Sequence, residues 1–247
     1  MEIENAQIQR RRILLQGVIQ GVGLRPFVYR EAKQNGLSGL VLNYSTGVKI
    51  EVEGIPQKIE DFIRSLQDSP PVLARIDEIV VEPIPPQGDK EFIIETSQQG
   101  EEQQVMISPD TATCSECLQE LFDPNDRRYH YPFINCTNCG PRFSIVQDAP
   151  YDRSKTTMAS FIMCSACAAE YSNPLDRRFH AQPIACLRCG PDIYLLNREG
   201  KQSKQTNFDV IITAAQKLAK GEILAIKGLG GYHLACDALN DHSVKVL

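Results

Sequence analysis

The sequence predicts an α+β chain of several domains: a split βαββαβ unit, a duplicated small metal-binding module, and the N-terminal part of an α/β unit. Three observations carry that prediction. Four Cys-X-X-Cys pairs form two copies of one pattern, Cys114/Cys117 with Cys136/Cys139 and Cys164/Cys167 with Cys186/Cys189, each copy leaving eighteen residues between its pairs. Upstream, short strand and helix signals alternate over residues 10–97; downstream, from 208, an amphipathic helix leads into a short apolar strand and a glycine-rich loop. At 247 residues the chain has room for one large domain or two to three small ones, and an apolar content of 42% supports folded cores. The domains are expected at 8–97, 108–191 and 201–247.

In the first unit, ArgIleLeuLeuGlnGlyValIle at 12–19 is strand-like, and the turn GVIQGVGLR at 17–25 follows it. A helix comes next, with Pro26 in its first turn and Gly36 as its stop. Strands are expected at 38–43 and 48–53, joined by SerThrGly as a hairpin turn. A second helix over 56–67 places Ile59, Phe62, Ile63 and Leu66 on one face. Strands near 75–82 and 91–95 close the unit, whose order is that of a ferredoxin-like split sandwich. The polar SQQGEEQQ at 97–104 reads as a linker.

The chemistry of this unit lies at the first turn. Gly21 and Gly23 let successive backbone N–H groups converge, and the start of a helix adds partial positive charge, so that the turn forms an anion cradle with Arg25 at its mouth. A glycine turn ahead of a helix is also found in ordinary strand-to-helix connections. Asn43 ends a strand, where an amide often does no more than bond its own turn.

In the second region the text between the cysteines is duplicated as well, DPNDRRYHYPFINCTNCGP at 123–141 being echoed by NPLDRRFHAQPIACLRCGP at 173–191. Two Cys-X-X-Cys turns supply the four sulfur ligands of a closed tetrahedral zinc site, and four thiolates leave no open position for water, so two structural zinc ions are expected. Both one ion per repeat and an interleaved arrangement of outer and inner pairs fit the spacing. A disulfide framework would need an oxidising compartment. The opening MEIENAQIQRRR is polar and then basic, and the run ILLQGVI is too short for an export or membrane segment, so a cytoplasmic protein is expected.

Charge excludes a further class. The whole chain is formally −5, and residues 98–200 hold nine Lys and Arg against thirteen Asp and Glu. Nucleic-acid binding normally begins with a basic face, which this balance does not supply. Arg127-Arg128 and Arg177-Arg178 are read as solvated or carboxylate-paired clusters.

In the third region the helix is expected to end at Gly221 and the strand IleLeuAlaIle at 223–226 to be buried. Lys227, Gly228, Gly230 and His233 lie in a loop that suggests a nucleotide site, although the spacing is not that of a Walker loop. His233 is equally a packed or hydrogen-bonded histidine, and Cys236 is read as a small buried hydrophobe.

Residues 16–54, QGVIQGVGLRPFVYREAKQNGLSGLVLNYSTGVKIEVEG, resemble the acylphosphatase signature. The resemblance implies that Arg25 and the loop N–H groups of Gln20, Gly21, Val22, Gly23 and Leu24 hold phosphoryl oxygens while Asn43 orients the attacking water. Leu24 departs from the commoner phenylalanine but stays apolar. The third region resembles the start of the YrdC family, whose members form carbamoyl-type adenylates from ATP. The three motifs in this order resemble the HypF family of hydrogenase-maturation carbamoyltransferases.

That resemblance implies hydrolysis of carbamoyl phosphate, ATP-dependent adenylation of the carbamate, and transfer to a cysteine of a HypE-type partner. By that resemblance, most of the YrdC domain and the domain that follows it in the family are expected to be absent. The chain is therefore expected to be a fragment or truncated product that hydrolyses acyl phosphates without completing the transfer, with exposed apolar surface over 201–247. A non-catalytic zinc-bound scaffold that only holds the substrate stays open as the alternative.

Overall fold

The computed structural model describes residues 8–44, 46–97, 106–203 and 207–247. The first unit runs β1 (Gln9–Val18), α1 (Leu24–Gln34), β2 (Ser38–Tyr44), β3 (Gly47–Gly54), α2 (Pro56–Asp68), β4 (Arg75–Ile84) and β5 (Phe92–Ile94). Its sheet has the order β4-β1-β3-β2-β5, antiparallel throughout except that β5 lies parallel to β2. This is the expected split sandwich with one more strand added at its edge.

The period of two in the strands decides which face is covered. Ile13 and Leu15 of β1 lie opposite Ile50 and Val48 of β3. All four are fully buried beneath Val28 and Ala32 of α1 and Ile59, Phe62 and Leu66 of α2. The alternate residues carry charge on the other face. There Arg10, 1% exposed, binds Glu51 at 2.9 Å, Glu53 at 3.0 Å and Asp89 at 2.5 Å, so a charge too costly to bury alone is met by three carboxylates. Gly39 in β2 has φ +128, and a Cβ there would lie 2.0 Å from the Glu51 carbonyl oxygen across the ladder. Only glycine permits that approach.

The hairpin turn is at the predicted place, since Tyr44 pairs with Gly47, although Ser45 lies outside the described residues. So does 98–104 of the expected linker. The chain reappears at Met106, and Ile107 bridges to Gln20.

Residues 106–203 contain two short helices, α3 (Ser115–Phe122) and α4 (Ser165–Ser172), and no strand of the regular kind among the described residues. Each helix starts on the first cysteine of its repeat: Cys114 and Cys164 are the N-caps, which puts Cys117 and Cys167 in the first turns, fully buried. The duplicated text folds the same way twice. Asp126 accepts from the Arg128 N–H at 2.7 Å and Asp176 from the Arg178 N–H at 2.8 Å, while His130 and His180 take the same left-handed backbone, φ 56 and 55.

The third region comprises α5 (Asn207–Ala219), β6 (Leu224–Lys227), β7 (Tyr232–Ala235) and α6 (Asp241–Val246). Helix α5 stops at Ala219, two residues before the expected glycine, and Gly221 closes the end with φ +86. Strand β6 corrects an expectation: it is not buried, because it pairs only with β7 in a two-stranded ribbon, and Ala225, Ile226 and Lys227 are exposed. Cys236 is likewise half-buried rather than buried, for the same lack of a second layer. Leu229, Tyr232, Leu234 and Leu239 are 63–96% exposed, the apolar surface expected of this region.

Candidate active site and metal clusters

The turn between β1 and α1 takes the form its glycines predict. Gly21 and Gly23 have φ +76 and +77, and Gly23 is the N-cap of α1, so the first N–H groups of the helix have no partner within it. Val22 and Leu24 anchor the turn by burying their side chains in the core. Gln20 is saturated by the protein. Its amide nitrogen donates to the carbonyls of Tyr44 at 3.1 Å and Gly47 at 3.0 Å, which fixes the end of the β2–β3 hairpin against the turn.

Arg25 and Asn43, eighteen positions apart in sequence, meet at this turn. With its amide oxygen toward the guanidinium, Asn43 accepts from Arg25 Nε at 3.3 Å and from Nη2 at 3.2 Å. Both residues are buried.

Arg25 lines the cradle, as expected, and is itself covered there. The cysteine module packs over the cradle and closes it from above. Arg142 Nε donates to the Gly21 carbonyl at 2.7 Å, the Tyr151 N–H donates to Gln20 Oε1 at 2.9 Å, and Asp152 Oδ1 accepts from Arg25 Nη2 at 2.8 Å. The glycines serve a second purpose in this contact. A Cβ at Gly21 would lie 3.2 Å from both Arg142 Cγ and Tyr151 Cδ1, and one at Gly23 would meet Thr137 at 3.4 Å. The cavity between them is about 30 Å³, lined by the turn, Asn43, Thr137, Arg142, Tyr151, His180 and Gln182. Burial, and then the neighbouring Arg25 charge, pull the His180 pKa down to about 4, so its imidazole is neutral at pH 7. None of these covering residues lies near the turn in sequence or within a pattern that announces it.

The eight cysteines form two groups, Cys114, Cys117, Cys136 and Cys139 in one and Cys164, Cys167, Cys186 and Cys189 in the other, the ligand atoms of each lying within 4.8 Å of one another. This is one cluster per repeat; the interleaved arrangement does not occur. The first group has S···S separations of 3.4–3.7 Å and the second of 3.6–3.8 Å. A tetrahedral ion with ~2.3 Å zinc–sulfur bonds requires S···S separations of about 3.8 Å, so the donor set and the spacing both fit zinc.

The duplicated arginines cross between the repeats. Arg127 donates to Cys167 Sγ at 3.1 Å and Arg177 to Cys117 Sγ at 3.1 Å. Arg127 and Arg128 both bind Glu170, and Arg177 and Arg178 both bind Glu120. These pairs hold the Glu120 and Glu170 carboxyls, despite burial, at about 2. All four arginines are thus carboxylate-paired, two to each glutamate.

Gly228 and Gly230 occupy the β6–β7 turn, Lys227 ends β6, and His233 lies in β7 opposite Ile226. The Gly228 N–H donates to the Gly231 carbonyl at 2.7 Å, Lys227 Nζ stands 5.2 Å over the Tyr232 ring, and His233 is exposed rather than packed. No helix among the described residues is long and apolar enough to cross a membrane.

The acylphosphatase family profile matches residues 11–94 and the HypF finger profile matches 113–146 and 163–196. Carbamoyltransferase HypF2 of Cupriavidus necator is 51% identical over 97% of the chain. The chain belongs to the HypF carbamoyltransferase family. A HypF of Synechocystis is also 51% identical, over 95% of the chain. A crystal structure of full-length HypF in a phosphate- and nucleotide-bound form superposes with a TM-score of 0.91 at 48% identity, covering 99% of the chain. The chain spans 30–32% of the length of these HypF relatives.

Proposed function

We propose that the chain hydrolyses acyl phosphates, carbamoyl phosphate foremost, at the Gly21–Arg25 turn. The observation that carries this is the meeting of Arg25 and Asn43, 3.2–3.3 Å apart, over a helix start whose first N–H groups have no partner within the helix. In this reading the N–H groups from Gln20 to Leu24 and the Arg25 guanidinium neutralise the phosphoryl oxygens, and Asn43 holds a water without acting as a base. The water oxygen bonds to phosphorus, the bond from phosphorus to the acyl oxygen breaks, and carbamate leaves as inorganic phosphate forms.

The two cysteine clusters hold zinc in this reading, Cys114, Cys117, Cys136 and Cys139 on one ion and Cys164, Cys167, Cys186 and Cys189 on the other. The metal supplies cross-linking, because no ligand position is left for substrate. In the whole HypF protein the carbamate is then adenylated with ATP and passed to a cysteine of a HypE-type partner in the cytoplasm. The loop holding Lys227, Gly228, Gly230 and His233 belongs to the YrdC-like, nucleotide-using part of that assembly.

The test is phosphate release from carbamoyl phosphate by the metal-loaded chain beside Arg25→Ala and Asn43→Ala. Each substitution should lower turnover by at least about a hundredfold, the size expected for one transition-state donor or one water-orienting group. Carbamoyl phosphate that binds without turnover would favour the scaffold reading, to which the engagement of Arg25 by Asp152 lends some support.

A further inference from the structure

Every donor nitrogen of Arg25 is engaged by the protein itself. Nε and Nη2 face Asn43, Nη1 donates to Ser97 Oγ at 3.4 Å, and Nη2 donates to Asp152 Oδ1 at 2.8 Å. Of these partners only Asp152 is charged, and it comes from the finger module, 127 residues away. Its backbone is held on both sides. Tyr151 is tied to Gln20, while Arg153 donates to the carbonyls of Gln182, Ile184 and Phe161 at 2.7–2.9 Å. The Asp152 side chain, 25% exposed, is free to turn into water without disturbing that backbone.

We propose that Asp152 is a specificity-determining residue of the phosphoryl site: an internal anion that occupies Arg25 until a phosphoryl group displaces it. The proposal rests on reading Gly21–Arg25 as the phosphoryl cradle. The cavity beside the guanidinium, about 30 Å³, admits about one water, and the tethered Asp152 carboxylate, which holds Arg25 from outside that lining, is the charged group a phosphoryl anion would have to replace on it.

The tether gives Asp152 a high effective concentration at Arg25. A free carboxylate offers the same charge and the same two oxygens and loses that competition. A phosphoryl dianion offers three oxygens and twice the charge, and it also takes up the N–H groups of the turn, which Asp152 does not reach. Arg142 turns its donors to the Gly21, Cys136, Thr137 and Cys139 carbonyls and His180 is neutral, so Arg25 is the cavity's guanidinium that is held by a carboxylate. Removing the carboxylate charge should tighten every anion and blunt the discrimination between them.

Calorimetric titration of inorganic phosphate, and separately of acetate, into the metal-loaded chain tests this with Asp152→Asn, Asp152→Glu and Arg25→Ala. Asp152→Asn should bind phosphate about tenfold tighter or better, the effect of removing a unit charge a few ångström from the site, and should admit acetate. Asp152→Glu should return toward the parent, and Arg25→Ala should lose phosphate. With carbamoyl phosphate the Asp152→Asn variant should lower KM by more than it changes kcat, whereas mere loosening of the interface would raise KM and lower kcat together. Asp152→Ala gives the same comparison should Asp152→Asn lose its metals. Phosphate binding unchanged or weakened in both variants, with Arg25→Ala still abolishing it, would overturn the proposal and leave the cradle standing. Phosphate binding that survives Arg25→Ala would overturn both.

Discussion

Sixteen buried apolar residues form one continuous cluster in the sheet unit, whereas the finger module divides its core into groups of seven and four, in which five members are cysteines. The first is held by area removed from water, and its polar groups are satisfied by the ladder of β1, β2 and β3. The second has no ladder and little apolar area. Its order comes from cysteines gathered in two four-sulfur clusters and from arginines donating to sulfur, carboxylate and backbone carbonyl. The comparison teaches that one chain can join two stabilising regimes at a single functional contact, since the cradle is made by the first and covered by the second.

Metal removal should separate the two regimes most sharply. A chelator is expected to expose the amides of 113–190 to hydrogen exchange while those of β1 and β3 stay protected, because the fingers have no other source of comparable order. Arg25 should then become accessible. Simultaneous loss of protection in both regions would show that the sheet unit depends on the fingers.

The converse experiment is Phe62→Ala, which empties a fully buried position in the sheet core. It should cost about 3–5 kcal/mol in denaturant unfolding of the sheet unit while both metals remain bound, as counted by metal analysis.

A smaller effect, in the fingers alone, is expected of Glu120→Gln. It leaves Arg178, 4% exposed, without its carboxylate, and because Arg177 also reaches Cys117 the first cluster should release its ion faster to a competing chelator. The pH dependence follows the same pair. Glu120 and Glu170 ordinarily titrate at 4.5 and are held at about 2 in the fold, so their contribution is whole above about pH 4.5 and is lost as the pH falls toward 2. Acid unfolding of the Glu120→Gln chain should lack half of that component. Least of all is expected from Arg75→Ala, whose partner Asp77 is 46% exposed: under about 0.5 kcal/mol by thermal unfolding.

Several features were legible in the sequence because the information is local. The period of two in β1 and β3, the helical spacing of Ile59, Phe62 and Leu66, and the glycines at 21 and 23 all act through neighbours on the same element. The expectation of a buried β6 failed for the opposite reason. Burial of a strand is a property of what lies above and beside it, and among the described residues β6 has only β7 beside it.

By itself the sequence marked the eight paired cysteines and the glycine turn. The two Cys-X-X-Cys spacings commit the sulfurs to tight turns, and Arg25 with Asn43 belongs to a turn and a strand whose registers are set within 45 residues. Only the tertiary structure decided that each repeat keeps its own cluster, that the arginines cross between repeats, and that Asp152, Tyr151 and Arg142 close the site. Those contacts join residues 40–131 positions apart. No periodicity or spacing encodes such pairings, because they arise when two surfaces of complementary shape and charge dock, and that is settled only once both have folded.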